Sequence, residues 1–361
     1  MLSIIIPTHE RHDILKRSID YYKNFKCTIL IADSSVDKIN CKFPNNIIYR
    51  HFPKLSFTKK ILKIAETAVT PYVCVTGDDD FLLESSLQVG LRFLDQNLDF
   101  VSVQGRYLKF ELIEGEIIYS PKNNPKAEGS YAVTGEDIFS RITKAYNPYK
   151  DQMVSIHRLD SFIKAFRSCA DVTHHFMTEL ASMLVPMCYG KHKVLPILWM
   201  IRDAYKFYRP NAHKIFEKEK LSVSTIYFGV GGHKKLLREV DEFLKSKEAL
   251  LVKDKFAREI SELVSDEKES DKIFEVAFKS FNDWIINDRK KIIIKKIIKL
   301  LTPTWIINYY KARRNSHVIN LTQTNSSGVN DVDKIELTIR AFPEIYTVRR
   351  EKQDPKAGTP D

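Results

Sequence analysis

The sequence predicts an α/β fold: a mostly parallel sheet with helices on both faces, followed by a helical C-terminal region. Three observations predict it. Short β-branched runs alternate with amphipathic helical stretches over the first hundred residues. The strand segments are apolar almost throughout, as strands buried on both faces must be. Beyond about residue 212 the alternation gives way to charged helical sequence.

The elements follow in order. Leu2 to Ile6 is a strand closed by Pro7 and Thr8. It begins at residue 2, which leaves no room for a leader peptide ahead of it. Ile14, Leu15, Ile19, Tyr22 and Phe25 recur at helical spacing. Thr28 to Ala32 is a second strand, ending at Asp33-Ser34-Ser35, and Asn46 to Arg50 is a third. Ser56 is placed to cap a helix whose inner face is Phe57, Ile61, Ala65 and Ala68. A strand over Tyr72 to Gly77 follows, then a helix marked by Leu87, Leu91 and Leu94. Another strand runs from Phe100 to Val103, with Gln104 to Tyr107 at its end. In open sheets of this kind ligands bind outside the carboxyl ends of the strands. Thr8, Asp33 and the residues after Thr76 all fall there and are expected to share one crevice.

Three consecutive aspartates, Asp78, Asp79 and Asp80, close the fourth strand. Clustered carboxylates repel, and a hard divalent cation is the usual reason to gather them. Mg²⁺ commonly bridges one or two carboxylates to substrate phosphates. The alternative is an acidic turn facing water, since Asp favours turns.

Taken together, Ser3-Ile4-Ile5-Ile6-Pro7-Thr8, Ile31-Ala32-Asp33-Ser34-Ser35 and Thr76-Gly77-Asp78-Asp79-Asp80-Phe81 make the chain resemble a family 2-type glycosyltransferase of bacterial type, with the GT-A (Rossmann-like) nucleotide-sugar fold. The resemblance is good over residues 1–110 and looser to about 210. It implies a nucleotide-diphosphate sugar donor and Mg²⁺ or Mn²⁺ at a "DXD" motif. The family pattern is Asp-x-Asp-Asp, and here Gly77 stands at its first position. The resemblance therefore assigns the metal to Asp79 and Asp80, and donor contacts to Asp78, Asp79 and Asp33. Pro7 and Thr8 would wall the base, and Arg11 would meet the diphosphate or stand as a solvated residue of the first helical turn. Lys59 and Lys60 are weaker candidates.

An inverting transferase also needs a general base for the acceptor hydroxyl. The family supplies a carboxylate about 90–100 residues after its metal motif. That window, Asp171 to Leu180, lacks the familiar Glu-Asp pair. Glu179 and Asp171 are the carboxylate candidates, Asp171 alternatively being a helix cap, and His174 and His175 are a third possibility. The stretch from Glu111 to Tyr131 reads as a hairpin and loop in the acceptor half, residues 111–211. Arg202 would reach the diphosphate or acceptor, or pair with Asp203. Trp199 reads as core more readily than as a sugar platform.

In residues 212–314 three apolar faces appear: Leu236 to Leu244, Phe256 to Leu263, and Ile273 to Trp284. Within this region residues 288–314 hold nine Lys or Arg and one acid, so +8 of the chain's formal +11. Basic clusters interleaved with aliphatic ones, with Trp305, Tyr309 and Tyr310, suit a helix lying on an anionic membrane; a soluble helix with solvated lysines is the alternative. Charge concentrated in one aliphatic segment argues against nucleic acid. Residues 315–361 read as a linker, a short helix near Val332 to Ala341 and a polar tail. The five cysteines show no CxxC spacing, and their odd number, with no leader expected, points to a reducing cytoplasm. The reading that follows is a cytoplasmic, membrane-peripheral transferase. Its acceptor would be a glycan or lipid-linked glycan of a bacterial surface polysaccharide. Its rivals are another sugar-nucleotide or nucleotidyl-transfer enzyme, against which stands the lack of a Gly-rich loop after the first strand, and a basic lipid- or nucleic-acid-binding protein.

Overall fold

The computed structural model describes residues 1–113, 115–120, 131–172, 175–203, 232–301, 329–343 and 345. Ten strands form one sheet. The first four, β1 (Leu2–Thr8), β2 (Thr28–Asp33), β3 (Ile47–His51) and β4 (Tyr72–Val75), lie in the order β3-β2-β1-β4, all parallel. The register sets Thr8 beside Asp33 and Ile5 beside Val75. Polar strand ends are thereby gathered at one edge, as the sequence leads one to expect.

Beyond β4 the sheet departs from simple alternation. The triplet's last aspartate opens a short strand, β5 (Asp80–Leu82). Strand β6 (Phe100–Ile113) is not the neighbour of β4, because β9 (Ile156–Arg158) lies between them, antiparallel to both. Two antiparallel steps restore the direction, so β6 runs the same way as β4. The long β10 (Lys191–Asp203) pairs parallel with β6 and antiparallel with β5. Six strands therefore point one way, and β5, β7 (Glu116–Ser120), β8 (Ala132–Val133) and β9 reverse. Strand β6 also continues past Gln104–Tyr107, where the sequence suggested an end. Gly105 allows this: a Cβ there would stand 2.7 Å from the Ile197 carbonyl, so only glycine lets β10 pass so close. The 111–131 hairpin forms through Ser120 around Gly115, whose φ of +82° suits glycine. Its loop lies outside the described residues.

Helices cover both faces. On β1, Ile5 faces one core and Ile4 and Ile6 the other, as the period of two requires. The second core takes α1 (His12–Tyr22) and α3 (Glu84–Gln96), and the first takes α2 (Phe57–Ala65), α4 (Ile138–Tyr146), α5 (Leu159–Ser168) and α6 (His175–Tyr189). Ser56 does cap α2, accepting from the Lys59 amide. Trp199 is core, its Nε1–H bonded to the Val154 carbonyl at 3.1 Å.

The C-terminal helices pack on the sheet domain. These are α7 (Gly232–Leu244), α8 (Lys247–Glu259) and α9 (Glu267–Leu301). They bury Leu236, Phe243, Phe256, Phe274, Ala277 and Phe281 in the first core. Finally α10 (Val329–Ala341) crosses to the other face and buries Ile335 and Ile339, while Asp331 accepts from the Ser85 amide and hydroxyl. Of the basic segment 288–314, the backbone is helical to Leu301 and residues 302–314 lie outside the described set, as do Thr173 and His174. Among the described residues no helix is long and apolar enough to cross a membrane.

Candidate active site

The aspartate triplet is not an acidic turn facing water. Asp78, Asp79 and Asp80 are 2 %, 6 % and 1 % exposed. Helix α1 makes this possible by clamping their backbone. Ser18 donates to the Asp78 carbonyl at 2.5 Å, Arg17 to that of Asp79 at 3.2 Å and Tyr22 to that of Asp80 at 3.1 Å, while Tyr21 reaches the Leu82 carbonyl at 2.7 Å. Burying backbone carbonyls is costly unless each finds a donor, and one helix face supplies all four.

The charges are compensated one by one. Arg11 spans two carboxylates, with Asp78 at 3.0 Å and Asp79 at 2.7 Å. Thr8 donates to Asp78 Oδ2 at 2.7 Å. Burial still dominates at Asp78 and, opposed by Arg11, holds its pKa above the usual carboxylate value. Asp80 meets Arg202 at 3.1 Å, directly opposite it in the β5–β10 register. Arg202 therefore pairs with Asp80, and not with its neighbour Asp203, whose partner is the fully buried Arg17 at 3.5 Å. Beneath the triplet, the buried Lys60 ammonium donates to the Thr8 carbonyl and to Ser34 Oγ at 2.9 Å, tying β1 to β2. Lys60 thus belongs to the crevice. Lys59 turns outward to Asp171.

Asp33 sits at the end of β2, beside Thr8, with its carboxylate saturated. Oδ1 accepts from the Ser35 amide and hydroxyl at 2.8 and 2.6 Å, and Oδ2 from Tyr49 at 2.7 Å with His12 at 3.2 Å. Burial opposes its charge, but the Ser35 bonds, Tyr49 and His12 outweigh it and hold its pKa below the usual value. Asp33 thereby orients the Tyr49 and His12 rings at the strand end beside Thr8. A depressed folded pKa adds stability that is present above the unfolded value and is lost as pH falls through the folded one. Tyr49→Phe is expected to cost about 1–2 kcal/mol at pH 7. Denaturant unfolding at pH 7 and pH 3 checks this, with the gap to wild type narrowing at the lower pH.

A pocket of about 160 Å³ opens beside the triplet. Its lining includes Pro7, Thr76, Gly77, Asp80 and Arg202 together with Phe57, Asp151, Met153 and Glu179. Glu179, on the second turn of α6, thus shares a cavity with Asp80 although 99 residues separate them. Asp171 does not line it. It is held by Lys255 and by Lys59 at 2.9 Å, and those bonds keep its pKa low, so it serves as a link between α2 and α8. Sequence reasoning missed Asp151, which follows α4 in a loop without periodicity. It also missed Arg17, although a signal existed: Arg17 stands three residues from Ile14 and four from Tyr21, on the apolar stripe of α1.

Whether these residues fit a divalent cation can be tested at Gly77. Asp79 Oδ1 and Asp80 Oδ2 stand 2.6 and 3.3 Å from where a Cβ on Gly77 would be. Two carboxylate oxygens therefore converge in the space that the missing side chain leaves. Among the described residues no three His, Cys, Asp or Glu side chains form a self-contained cage. Mg²⁺ does not require one, because it takes one or two carboxylates and completes its shell with phosphate oxygens and water. The pair fits. Gly77→Ala is expected to change stability by less than about 1 kcal/mol, since the Asp79 carboxylate is a movable chain end. It should nonetheless spread the pair, and a metal titration followed by Mn²⁺ resonance will show weakened binding.

No family model matches the chain, and no curated protein matches it. Solved structures do. One is residues 1–349 of S. aureus TarS, at 10% identity and TM-score 0.42, covering 80% of this chain and 91% of that one. The same protein in complex with UDP and with UDP-GlcNAc scores 0.40 in each case, again at 10% identity. Likeness at this distance carries no functional assignment.

Proposed function

We propose that the chain is a metal-dependent, inverting glycosyltransferase of the GT-A type that moves one sugar from a nucleotide-diphosphate donor to a hydroxyl acceptor. The observation behind the reading is the convergence of Asp79 and Asp80 over Gly77 at the rim of a pocket that also holds Glu179. The motif resemblance suggests the donor class, and the nearness of Asp79, Asp80 and Glu179 to one pocket supports the division of roles that follows.

In this reading Asp79 and Asp80 hold the metal, which would neutralise charge developing on the departing diphosphate. Arg11, partly exposed at the crevice mouth, contributes a second positive charge to the phosphates. Glu179 is the base. The acceptor oxygen bonds to the anomeric carbon as its proton passes to the Glu179 carboxylate. The bond from that carbon to the phosphate oxygen breaks, and the nucleoside diphosphate leaves with the electron pair. Attack from the face opposite the leaving group inverts the anomeric centre. Phe57, Met153 and Pro7 give the acceptor an apolar wall. Asp151 is a poorer base, because its Oδ1 already accepts from the Met153 amide at 2.9 Å and its charge faces Arg202. The basic run 288–314 fits a lipid-linked glycan acceptor at the cytoplasmic face of an anionic membrane.

Incubation with a panel of UDP-, GDP- and dTDP-sugars, with and without Mn²⁺, tests the proposal. Metal-stimulated release of nucleoside diphosphate from one donor is expected, with water replacing the acceptor. Release from none of them, by protein shown to be folded, would count against it.

A further inference from the structure

The hydroxyl of Tyr149 has one task that its ring does not. Tyr149 lies in the loop between α4 and β9 that also supplies Asp151 and Met153 to the pocket. Its ring meets Phe281 edge-on at 5.3 Å and Trp284 at 5.4 Å, and these two stack on each other at 5.4 Å. Phenylalanine would make those contacts equally well. The hydroxyl, however, donates to Glu179 Oε2 at 3.3 Å. Burial first, and then the Glu179 charge, push the phenol's pKa well up, so it remains a donor across the working range.

The Glu179 segment is held at two points, from the last residue of α4 and from the loop after it. Tyr146, paired with Tyr149 through an isolated antiparallel bridge, donates to the carbonyl of Leu180, the residue after Glu179. One tyrosine fixes the backbone and the other the carboxylate. The aromatic pair behind Tyr149 belongs to α9, three residues apart on one helix face. The appendage helix therefore packs against a side chain that bonds Glu179.

We propose that Tyr149 is a positioning residue that aims the Glu179 carboxylate, and that Trp284 and Phe281 of α9 hold Tyr149 in the aiming position. The inference rests on the reading of Glu179 as the base. It gives the helical region a part in the reaction: removing a ring about one helical turn beyond Phe281, with no contact to substrate, slows chemistry by loosening the base. Small displacements of a reacting group are costly in this way.

The experiment compares Tyr149→Phe, Trp284→Ala and the double variant with wild type, using the donor identified by nucleotide release. Rate constant, donor KM and Tm are measured for each. Tyr149→Phe is expected to lower kcat about tenfold, the effect of one hydrogen bond to a charged group, with donor KM and Tm nearly unchanged. Trp284→Ala is expected to lower both kcat and Tm. The double variant should be no slower than the slower single, because both changes remove the same constraint. A wild-type kcat in Tyr149→Phe, with Glu179→Gln inactive, overturns the positioning role and leaves the base in place. Fully multiplicative losses overturn the link to α9. Wild-type turnover by Glu179→Gln removes the base reading itself, and the positioning role with it.

Discussion

Glu179→Gln is expected to lower sugar transfer and donor hydrolysis by 10²–10⁴-fold while leaving nucleotide affinity intact. That range is what a positioned general base contributes. The amide keeps the shape of the carboxylate and its place against Tyr149, so Tm should move little. The charge-bearing contacts to a donor's phosphates fall to other residues in this reading, so donor KM should change little. Asp171→Asn is the informative companion. Asp171 only links Lys59 and Lys255 at a half-exposed surface, so its loss should cost about 1 kcal/mol or less and no chemistry. Steady-state kinetics on the two variants separates the two carboxylates that the sequence left as rivals.

The second large effect lies at Arg202. Its guanidinium is the cross-strand partner of Asp80, which is all but fully buried. Removing one member of such a pair strands the other charge, at a cost on the order of 3 kcal/mol. Arg202→Ala is therefore expected to lower Tm by several degrees. At the same time it should release the Asp80 carboxylate and weaken the wall of the pocket. Asp80→Ala should destabilise comparably and also abolish metal binding. The double variant Asp80→Leu/Arg202→Met tests the cause. It should recover much of the lost stability, since apolar replacement of a buried pair is often neutral, yet remain unable to bind metal or donor. Thermal melts with and without Mn²⁺ measure both quantities on the same samples.

What could be read from the sequence was local. The four parallel strands were legible because buried strands are β-branched and nearly continuous. Strand-end logic then put Thr8, Asp33 and the triplet in one crevice. The amphipathic faces of α7 to α9 were legible from their period. Long-range pairing was not. Nothing in Ile156-His157-Arg158 signals that this short strand inserts antiparallel between β4 and β6. Arg202 became the partner of Asp80 only through the β10 register, 122 positions away. The resemblance marked Asp33 as a donor contact, but its partners within the protein were not legible. Of the hydrogen bonds it accepts, two come from Ser35 two residues on, but the one from Tyr49 depends on β3 pairing with β2. Arg17 and Asp151 escaped for opposite reasons. One is a charge inside an apolar stripe, where periodicity reads it as an interruption. The other sits in a loop, where there is no period to read.

On the proposed reading Asp79 and Asp80 hold a metal for a nucleotide donor, and ligand binding tests this most directly. Nucleoside diphosphates are titrated into wild type and Asp79→Asn, with and without Mn²⁺, and Tm is followed. A saturating ligand stabilises the native state by mass action, by about 2.7 kcal/mol at a hundredfold excess over Kd. The account predicts a metal-dependent rise in Tm for one nucleotide, lost in Asp79→Asn, whose own unliganded Tm stays close to wild type. No rise with any nucleoside diphosphate in folded wild-type protein would contradict it, and would leave Asp78, Asp79 and Asp80 as a buried structural network neutralised by Arg11 and Arg202.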